Sequence, residues 1–282
     1  MDEMMMSMHE AAVKAWVGIW YVMYVVLRVL LHVLIGRRRR KWIQFVLGLH
    51  YSRAFTIRYG QLCGTSYEPA VSRIIHKVLR KREAKIFIDV GAFIEWFSLY
   101  AYRILRKRKG AIIIAVEPDP KNYVALLENT MLCQFIKTMN VAIYTSDKEE
   151  IEFHLGRKDQ GGLSQSGSIY PSYHNENGLL SGESILVKTV RLDTLIKRSG
   201  LEKVNLIKMD IEGAEYPVLT DPLLDLSKVE NMVVEVHYRY GSRESREIMQ
   251  ALAQHGFKIV PLYPDQNSNR FHLLACRGEI PW

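Results

Sequence analysis

Short apolar segments alternate with helical ones from Lys85 onward, and this alternation constrains the fold more than any other feature of the sequence. The segments KIFIDV, AIIIAVE, VNLIKMDI and NMVVEVH are apolar almost throughout, and helix-like stretches separate them. Strands that are apolar on both faces, with helices between them, are typical of a mainly parallel sheet covered on both sides. The pattern therefore predicts an α/β protein with a doubly wound sheet.

The last two apolar segments, KIVPLY and FHLLACR, are separated only by the loop PDQNSNR. A parallel pair needs a long crossover, so these two strands are predicted to be antiparallel. The segments FIKTMNVAI, EEIEFHL and SILVKTV are predicted as further strands. Helices are predicted in AVSRIIHKVLRKR behind Tyr67-Glu68-Pro69, after KIFIDV as far as Arg108, from Pro120 to about Met131, and from Glu244 to about His255.

Residues 15–35 form an apolar stretch that only Arg28 and His32 interrupt, and the basic cluster RRRRK follows at 37–41. A helix of that length spans a bilayer core, and the basic cluster would place the rest of the chain in the cytoplasm. The polar positions also fall on one narrow stripe, which suits a helix lying in the membrane interface or packed on its own domain. A membrane span, an interfacial helix and a helix packed on its own domain therefore remain three alternative interpretations.

The sequence is thereby predicted to have three parts. Residues 1–41 are the hydrophobic helix and basic cluster, 42–84 are connecting helices, and 85–282 are the α/β domain, which carries a polar insertion at 156–184. The insertion is rich in Gly, Ser and Asn, and it is long enough to be a lid or substrate loop, or else a surface excursion. The predicted location is membrane-associated, with the α/β domain in the cytoplasm.

The charge distribution argues against a nucleic-acid partner. The chain has a net charge of +8, but residues 1–60 hold nine Lys or Arg against three acids and so account for +6 of it. A nucleic-acid-binding domain would more often carry the basic residues itself. Cys63, Cys133 and Cys276 have no zinc or disulfide spacing, so we expect reduced thiols.

The stretch DVGAFIEWFS follows the first predicted strand, where a doubly wound sheet binds its ligand. Two carboxylates, Asp89 and Glu95, flank the single glycine Gly91, and no Lys or Arg lies between Asp89 and Tyr102. A dinucleotide pyrophosphate would be repelled there, whereas S-adenosylmethionine has no phosphate and is a net cation. Glu117, at the end of AVEPDP's strand, is placed to accept hydrogen bonds from a ribose. Each of these acids could instead only cap the next helix.

Five segments resemble, in order, the FkbM-type family of S-adenosylmethionine-dependent methyltransferases. They are IFIDVGAFIEWFSLYA, AVEPDPKNYVALLENT, NVAIYTSDKEEIEFHL, VRLDTLI and VNLIKMDIEGAEYPVL, with KMDIEGAE the most distinctive, and the resemblance covers roughly residues 67–276. It implies the class I methyltransferase fold, a Rossmann-like sheet of seven strands with the last one antiparallel. It also implies S-adenosylmethionine as cofactor and, as in most characterised members, O-methylation of a hydroxyl.

The resemblance implies a set of cofactor-binding residues by matching position: Glu68, Asp89, Gly91, Glu117, Asp119, Asn122, Asn140, Ala142 and Asp210. Two further positions on the cofactor turn depart from the family pattern. Phe93 stands where the family usually has Asn, and Glu95 where it usually has Gly. We expect both to lie near the methionine end of the cofactor.

Methyl transfer to an alcohol needs a positioned oxygen and a base for its proton. The candidates are Asp210 and Glu212 after VNLIKM, and His237 after NMVVEV. His237 is preferred because histidine titrates nearest neutral pH, although it could equally serve a structural purpose. Asp210, Glu212 and Glu215 could form a metal site, but acids in a first helical turn are favoured without one, so no metal is predicted.

The sequence therefore predicts a methyltransferase that uses S-adenosylmethionine at the cytoplasmic face of a membrane. Its acceptor would be a hydroxyl of a glycan, a lipid-linked intermediate or a small molecule. One alternative is a non-catalytic, membrane-anchored module in which Phe93 and Glu95 have altered the cofactor turn. Another is a nicotinamide-dependent oxidoreductase, which would have to place pyrophosphate beside Asp89 and Glu95.

Overall fold

A computed structural model describes residues 68–131, 133–148, 150–157, 163–164, 166–170, 179–262 and 268–280. The predicted hydrophobic helix, the basic cluster and the connecting segment up to residue 67 lie outside these ranges. Within them, no helix is long and apolar enough to cross a membrane. Cys133 and Cys276 are buried free thiols, as expected, and Cys63 lies outside the described residues.

The elements follow the predicted alternation of strands and helices. The helices are α1 (Pro69–Arg80), α2 (Trp96–Leu105), α3 (Pro120–Thr130), α4 (Leu192–Arg198), α5 (Glu215–Leu219) and α6 (Arg243–Gln254). The strands are β1 (Ile86–Val90), β2 (Ile112–Val116), β3 (Ile136–Met139), β4 (Ala142–Ile143), β5 (Ile151–Gly156), β6 (Leu180–Val187), β7 (Thr189–Val190), β8 (Leu206–Met209), β9 (Asn231–Val236), β10 (Lys258–Leu262) and β11 (Phe271–Cys276).

Seven strands form one sheet in the order β10-β11-β9-β8-β1-β2-β3. Strands β3, β2, β1, β8 and β9 run parallel, whereas β11 is antiparallel to both β9 and β10. This confirms the doubly wound sheet and its antiparallel final hairpin. Because β3, β2, β1, β8 and β9 are parallel, their carboxyl ends meet at one edge of the sheet. A ligand site is expected at that edge.

Three predicted strands do not extend the main sheet in the expected way. FIKTMNVAI divides after Met139, so β3 stays in the sheet while β4 pairs with β7. Strands β5 and β6 form a separate antiparallel ribbon. Most of β6 is exposed or half-buried, so it lacks the two-sided burial of the parallel strands.

Apolar side chains cover both faces of the main sheet. On one face α1 and α2 bury residues such as Val71 and Leu105 against Phe87 of β1. On the other, Leu195 of α4 and Ile248 of α6 pack with strand residues that include Ile207. The two helical layers leave the carboxyl edge of the strands open to the loops.

Candidate active site

A cavity of about 310 Å³ lies at the carboxyl ends of β1, β2, β8 and β9. Six carboxylates line it but only two basic side chains do. The acids are Glu68, Glu95, Glu117, Asp210, Glu212 and Glu235, and the bases are Lys208 and Arg270. This excess of acids favours a cationic ligand and disfavours a pyrophosphate, as the sequence predicted.

The turn after β1 forms one wall of the cavity. The amides of Gly91 and Ala92 both donate to the Val116 carbonyl, at 3.0 and 2.9 Å, which fixes the turn beside β2. Gly91 has φ 75°, and a Cβ at this position would lie 1.7 Å from the Asp210 carbonyl oxygen. Only glycine satisfies both the backbone conformation and this close approach.

Asp89 supports the turn from below and does not line the cavity. It is fully buried, and its Oδ2 accepts a hydrogen bond from the Ser98 hydroxyl at 2.7 Å. Burial raises the pKa of Asp89, while Lys208, whose Nζ lies 4.0 Å from Oδ1, opposes the shift. The predicted contact between Asp89 and the cofactor is therefore not what the geometry shows, since the carboxylate faces the protein interior.

Glu117 lines the cavity at the end of β2, where the sequence predicted the ribose acceptor. Its Oε2 accepts from the Phe93 amide at 2.9 Å, and its Oε1 accepts from the Asp119 amide and the Asn122 side chain at 3.1 and 3.3 Å. Burial nevertheless raises the pKa of Glu117 to about 8, so the site holds this carboxyl near the balance between its two forms.

Two other predicted cofactor residues shape the loop around Glu117 rather than the cavity wall. Asp119 caps α3 by accepting from the amides of Lys121 and Asn122. Asn140 donates to the carbonyls of Glu117 and Pro118, both at 2.9 Å. Neither side chain is among those that line the cavity, whereas Asn122 and Ala142 are. Both side chains support the loop in this structure, and their contact with the cofactor stays a prediction.

Strained backbone is concentrated at this cavity. In the described part of the chain, four residues other than glycine have positive φ, namely Glu68, Phe93, Glu95 and Glu212, and all four line the cavity. Phe93 and Glu95, at 51° and 148°, are the two positions at which the resemblance implied Asn and Gly. The turn thus keeps a glycine-like backbone with larger side chains, and such strain is a property of functional sites.

This strain predicts that Glu95→Gly stabilises the fold. The positive φ costs about 1–3 kcal/mol for a residue with a Cβ, and glycine returns about 0.5–1 kcal/mol of that through its freer unfolded chain. Glu95→Ala is the matched control, because it removes the carboxylate and keeps the Cβ. Urea unfolding should show the Gly variant more stable than the Ala variant by about 1–2 kcal/mol. Equal stabilities would show that this backbone is not strained.

The acids after β8 surround a buried histidine. His237 lies 3.1 Å from Glu215 through Nδ1 and 3.2 Å from Glu212 through Nε2, with Asp210 Oδ1 at 3.9 Å. Burial alone would lower the pKa of His237, but Glu215, Glu212 and Asp210 raise it to about 10. A protonated imidazole cannot accept a proton at neutral pH, so the premise for choosing His237 as base does not hold. Nor does His237 line the cavity.

Asp210 lines the cavity with a side chain that is 21% exposed. Its Oδ2 accepts from Lys208 Nζ at 3.1 Å, and its Oδ1 is buried towards His237. Burial raises the pKa of Asp210 to about 7; Lys208 opposes this shift, and Glu235 and Glu212 add to it. Asp210 therefore titrates in the range that a base at neutral pH requires.

Glu215 has a structural position that removes it from the possible metal set. Its two carboxylate oxygens accept from the amides of Ile211 and Gly213, at 2.9 and 3.0 Å, and so fix the turn into α5. Asp210, Glu212 and His237 have ligand-type atoms within 4.8 Å of one another.

The polar insertion contributes to the wall of the cavity. Ser164 exchanges two hydrogen bonds with Asn122, at 2.7 and 3.3 Å, and the Ser168 hydroxyl donates to the Glu212 carbonyl at 2.6 Å. Gly167 packs against the ring of Phe153. The described part of the insertion therefore contacts both the Glu117 side and the Glu212 side of the cavity.

Comparison with known proteins places this geometry in a family. The model of the methyltransferase FkbM domain matches residues 89–259. The chain belongs to the FkbM methyltransferase family. The 2-O-methyltransferase NoeI of Sinorhizobium fredii is 33% identical over 203 residues, which are 69% of this chain and 80% of NoeI. The 31-O-demethyl-FK506 methyltransferase FkbM of Streptomyces tacrolimicus is 26% identical over 221 residues, 70% of this chain and 82% of that protein.

A third relative is much longer. The AMB antimetabolite synthetase AmbE of Pseudomonas aeruginosa is 27% identical over 206 residues, and the match spans 62% of this chain but only 10% of AmbE. Family membership makes the chain an S-adenosylmethionine-dependent methyltransferase. It also agrees with the seven-stranded sheet and its antiparallel last strand.

One charged group of the FkbM-family site was missed from the sequence. Glu68 does not stand alone beside the cofactor turn but pairs with His272 of β11 at 3.2 Å, and His272 lies 3.5 Å from Glu235. Arg270 reaches Glu235 at 3.1 Å. The sequence did contain a signal for this group. Because β11 was predicted to be antiparallel, its first residues must lie at the edge where the parallel strands end, and His272 is one of them.

Proposed function

We propose that the chain transfers the methyl group of S-adenosylmethionine to a hydroxyl oxygen, with Asp210 as the base. The observation that carries this proposal is that one cavity unites the Gly91 turn, Glu117 and Asp210 at the ends of β1, β2 and β8. NoeI and FkbM are both named for methylation at oxygen, which supports a hydroxyl acceptor on a glycan, a lipid-linked intermediate or a small molecule.

The residues of the cavity fit this cofactor. Its six lining carboxylates against two bases suit a ligand with a net positive charge. Glu117 keeps acceptor capacity beyond its three protein donors, because each carboxylate oxygen has two lone pairs and so can also meet a ribose hydroxyl. Gly91 leaves the turn without a side chain, so that a ligand can approach the backbone closely.

The cofactor, when bound, supplies a methyl group on a sulfonium that accepts an electron pair from oxygen. Asp210 would take the proton of the acceptor hydroxyl at Oδ2, since Oδ1 is buried. Lys208 is a donor to this same oxygen and fixes its direction. The insertion residues Ser164 and Ser168 would help to exclude water from the acceptor.

Calorimetric titration tests the cofactor directly. The chain should bind S-adenosylmethionine with a dissociation constant on the order of 1–100 µM, within the range common for enzyme ligands, and it should bind NAD far more weakly. Absence of binding at millimolar concentration would reject the proposal. Tighter binding of NAD would support the oxidoreductase alternative.

Glu117→Ala should weaken binding of S-adenosylmethionine by about 1–3 kcal/mol, because a hydrogen-bond acceptor to the ribose is lost. The same change leaves three donors without Glu117, so thermal unfolding must be measured beside the titration. Glu152→Ala, on the exposed face of β5, is the control and should change neither quantity. An unaltered dissociation constant for the Glu117 variant would remove this residue from the site.

Attachment to a membrane through residues 15–41 remains a proposal from the sequence alone. Its support is the apolar stretch followed by RRRRK. The full chain should sediment with membranes, and a chain lacking residues 1–41 should stay in the supernatant with its cofactor binding intact. If the shortened chain aggregates, the segment covers its own domain instead.

A further inference from the structure

Basic side chains are concentrated where helices α1 and α2 end. Residues 69–110 hold eleven Lys or Arg against three acids, whereas residues 61–282 as a whole have a net charge of only +2. Two of those three acids, Asp89 and Glu95, are buried. Six of the basic residues are exposed at the two helix ends, and we call them the basic face: Arg80, Lys81, Arg82, Arg106, Lys107 and Lys109.

Arg108 joins the two helix ends. Its guanidinium donates to the Arg80 carbonyl at 2.9 Å and also to the carbonyls of Lys81 and Ala84. These carbonyls lie at the end of α1, and Arg108 reaches them from the segment that follows α2. The two halves of the basic face therefore adjoin each other and present their charges on the same side of the domain.

Stabilisation of the helices does not explain the basic face. Cations are favoured in the last turn of a helix, but of these six residues only Arg80 lies within one. Carbonyls at the end of α1 already accept from Arg108. Within the described ranges, no ion pair joins the six side chains to a carboxylate, whereas the exposed Lys203 pairs with Glu230. Like charges in one place repel one another, so this surface favours an anionic partner.

We propose that the basic face binds the surface of a membrane that contains anionic phospholipids. Clustered Lys and Arg bind such a surface without a groove, because the lipid headgroups present their charge over an area. The chain also carries the apolar stretch 15–35, and an apolar segment together with a basic patch binds membranes more firmly than either alone. This inference does not rest on the proposed methyl transfer.

Nucleic acid fits the basic face less well. Sites for single-stranded nucleic acid stack the bases on aromatic side chains, and residues 80–85 and 106–109 contain no aromatic residue. A nucleic acid bound there would also lie at the edge of the sheet away from the cavity, so the contact would not present it as a methyl acceptor.

The position of the basic face has a consequence for the acceptor. Helices α1 and α2 end just before β1 and β2 begin, whereas the cavity lies at the carboxyl ends of those strands. Strands of five residues separate the two edges by about 17 Å. A domain bound through the basic face therefore opens its cavity towards the aqueous phase, and the acceptor hydroxyl would approach from there.

Hydrogen exchange of the full chain on vesicles tests contact by this face separately from insertion of residues 15–35. The vesicles are phosphatidylcholine alone or phosphatidylcholine with about one-third phosphatidylserine. Amides of residues 81–85 and 106–110 should exchange more slowly on the acidic vesicles than on the neutral ones. Amides of residues 199–203 should exchange equally on both. Equal exchange of 81–85 and 106–110 on the two vesicles would overturn the inference.

Charge variants of the full chain test the energetic contribution of the face. The variant carries Gln in place of four of its residues, namely Arg82, Arg106, Lys107 and Lys109. The matched control loses the same charge at four other exposed positions, with Gln in place of Lys197, Arg198, Lys203 and Arg243.

The variant should bind acidic vesicles at least about tenfold more weakly than the control does. Each basic residue at an acidic surface contributes about a fivefold factor, so contact by two of the four is sufficient for this difference. All proteins should bind neutral vesicles equally. Equal binding of variant and control to acidic vesicles would overturn the inference. It would also be overturned if a random-sequence RNA bound wild type more tightly than acidic vesicles do and the variant lost that binding.

Discussion

Gly91→Ala should abolish binding of S-adenosylmethionine and lower the free energy of unfolding by at least about 3 kcal/mol, beyond the usual effect of a single substitution. The added Cβ would lie 1.7 Å from the Asp210 carbonyl oxygen and 2.9 Å from its carbon, so β1 and β8 would have to separate at their carboxyl ends. That movement would displace the turn and the base together. Calorimetric titration and urea unfolding measure the two effects.

Gly110→Ala separates the steric clash from backbone strain. Gly110 has the same φ of 75° as Gly91, but a Cβ there would meet no atom within 4 Å. It should cost only about 1 kcal/mol, the typical penalty of a left-handed backbone for alanine, and leave binding unchanged. If Gly91→Ala bound the cofactor as well as Gly110→Ala does, the close approach of the turn to Asp210 would not be required for cofactor binding.

The site residues whose positions could be predicted best from the sequence are those at the ends of parallel strands. Glu117 and Asp210 line the cavity because the carboxyl ends of β2 and β8 necessarily meet at one edge of a parallel sheet. This prediction needs only the order and type of the elements. Asp89 belongs to the same class of position, but its side chain points into the protein towards Ser98, and that direction depends on the packing of α2.

Contacts between segments that are distant in the chain could not be predicted from the sequence pattern. Asn122 meets Ser164 only because the insertion folds back by 42 residues onto α3. His272 lies directly opposite Glu235 in the register of β9 and β11, which the hairpin prediction alone does not specify. A register depends on which side chains are buried, and that is decided by the helices on each face.

The choice of His237 as base shows how strongly burial and neighbouring charges change a titration. Histidine ordinarily titrates near neutral pH, but three carboxylates at 3.1 to 3.9 Å keep His237 protonated. The pKa of Asp210 is raised as well, but burial brings it to about 7, which lies in the neutral range. His237 is therefore the residue whose pKa as a free side chain suits a base at neutral pH, whereas Asp210 is the residue whose pKa in the folded protein does.

Asp210→Asn should reduce the rate of methyl transfer by about 10²- to 10⁴-fold, the usual contribution of a positioned base. Asparagine has the same shape and still accepts from Lys208, so S-adenosylmethionine should bind with a much smaller change. Because the acceptor is unidentified, the substrate is an extract of glycans, lipids and small molecules from the cells in which the protein naturally occurs. The rate is measured as transfer of a labelled methyl group from S-adenosylmethionine to this extract. Asp225→Asn, at an exposed position, is the control and should transfer at the wild-type rate.

The pH dependence distinguishes the two candidate bases. A base must be ionised to accept a proton, so activity that depends on Asp210 should be low at acid pH and rise as pH increases through about 7. A base with the pKa of His237 would move that rise to about pH 10. A rise near pH 10, together with a wild-type rate for Asp210→Asn, would return the base to His237. A rise near pH 7 that disappears in Asp210→Asn would assign the proton to Asp210, because no change in shape accompanies the loss of its charge.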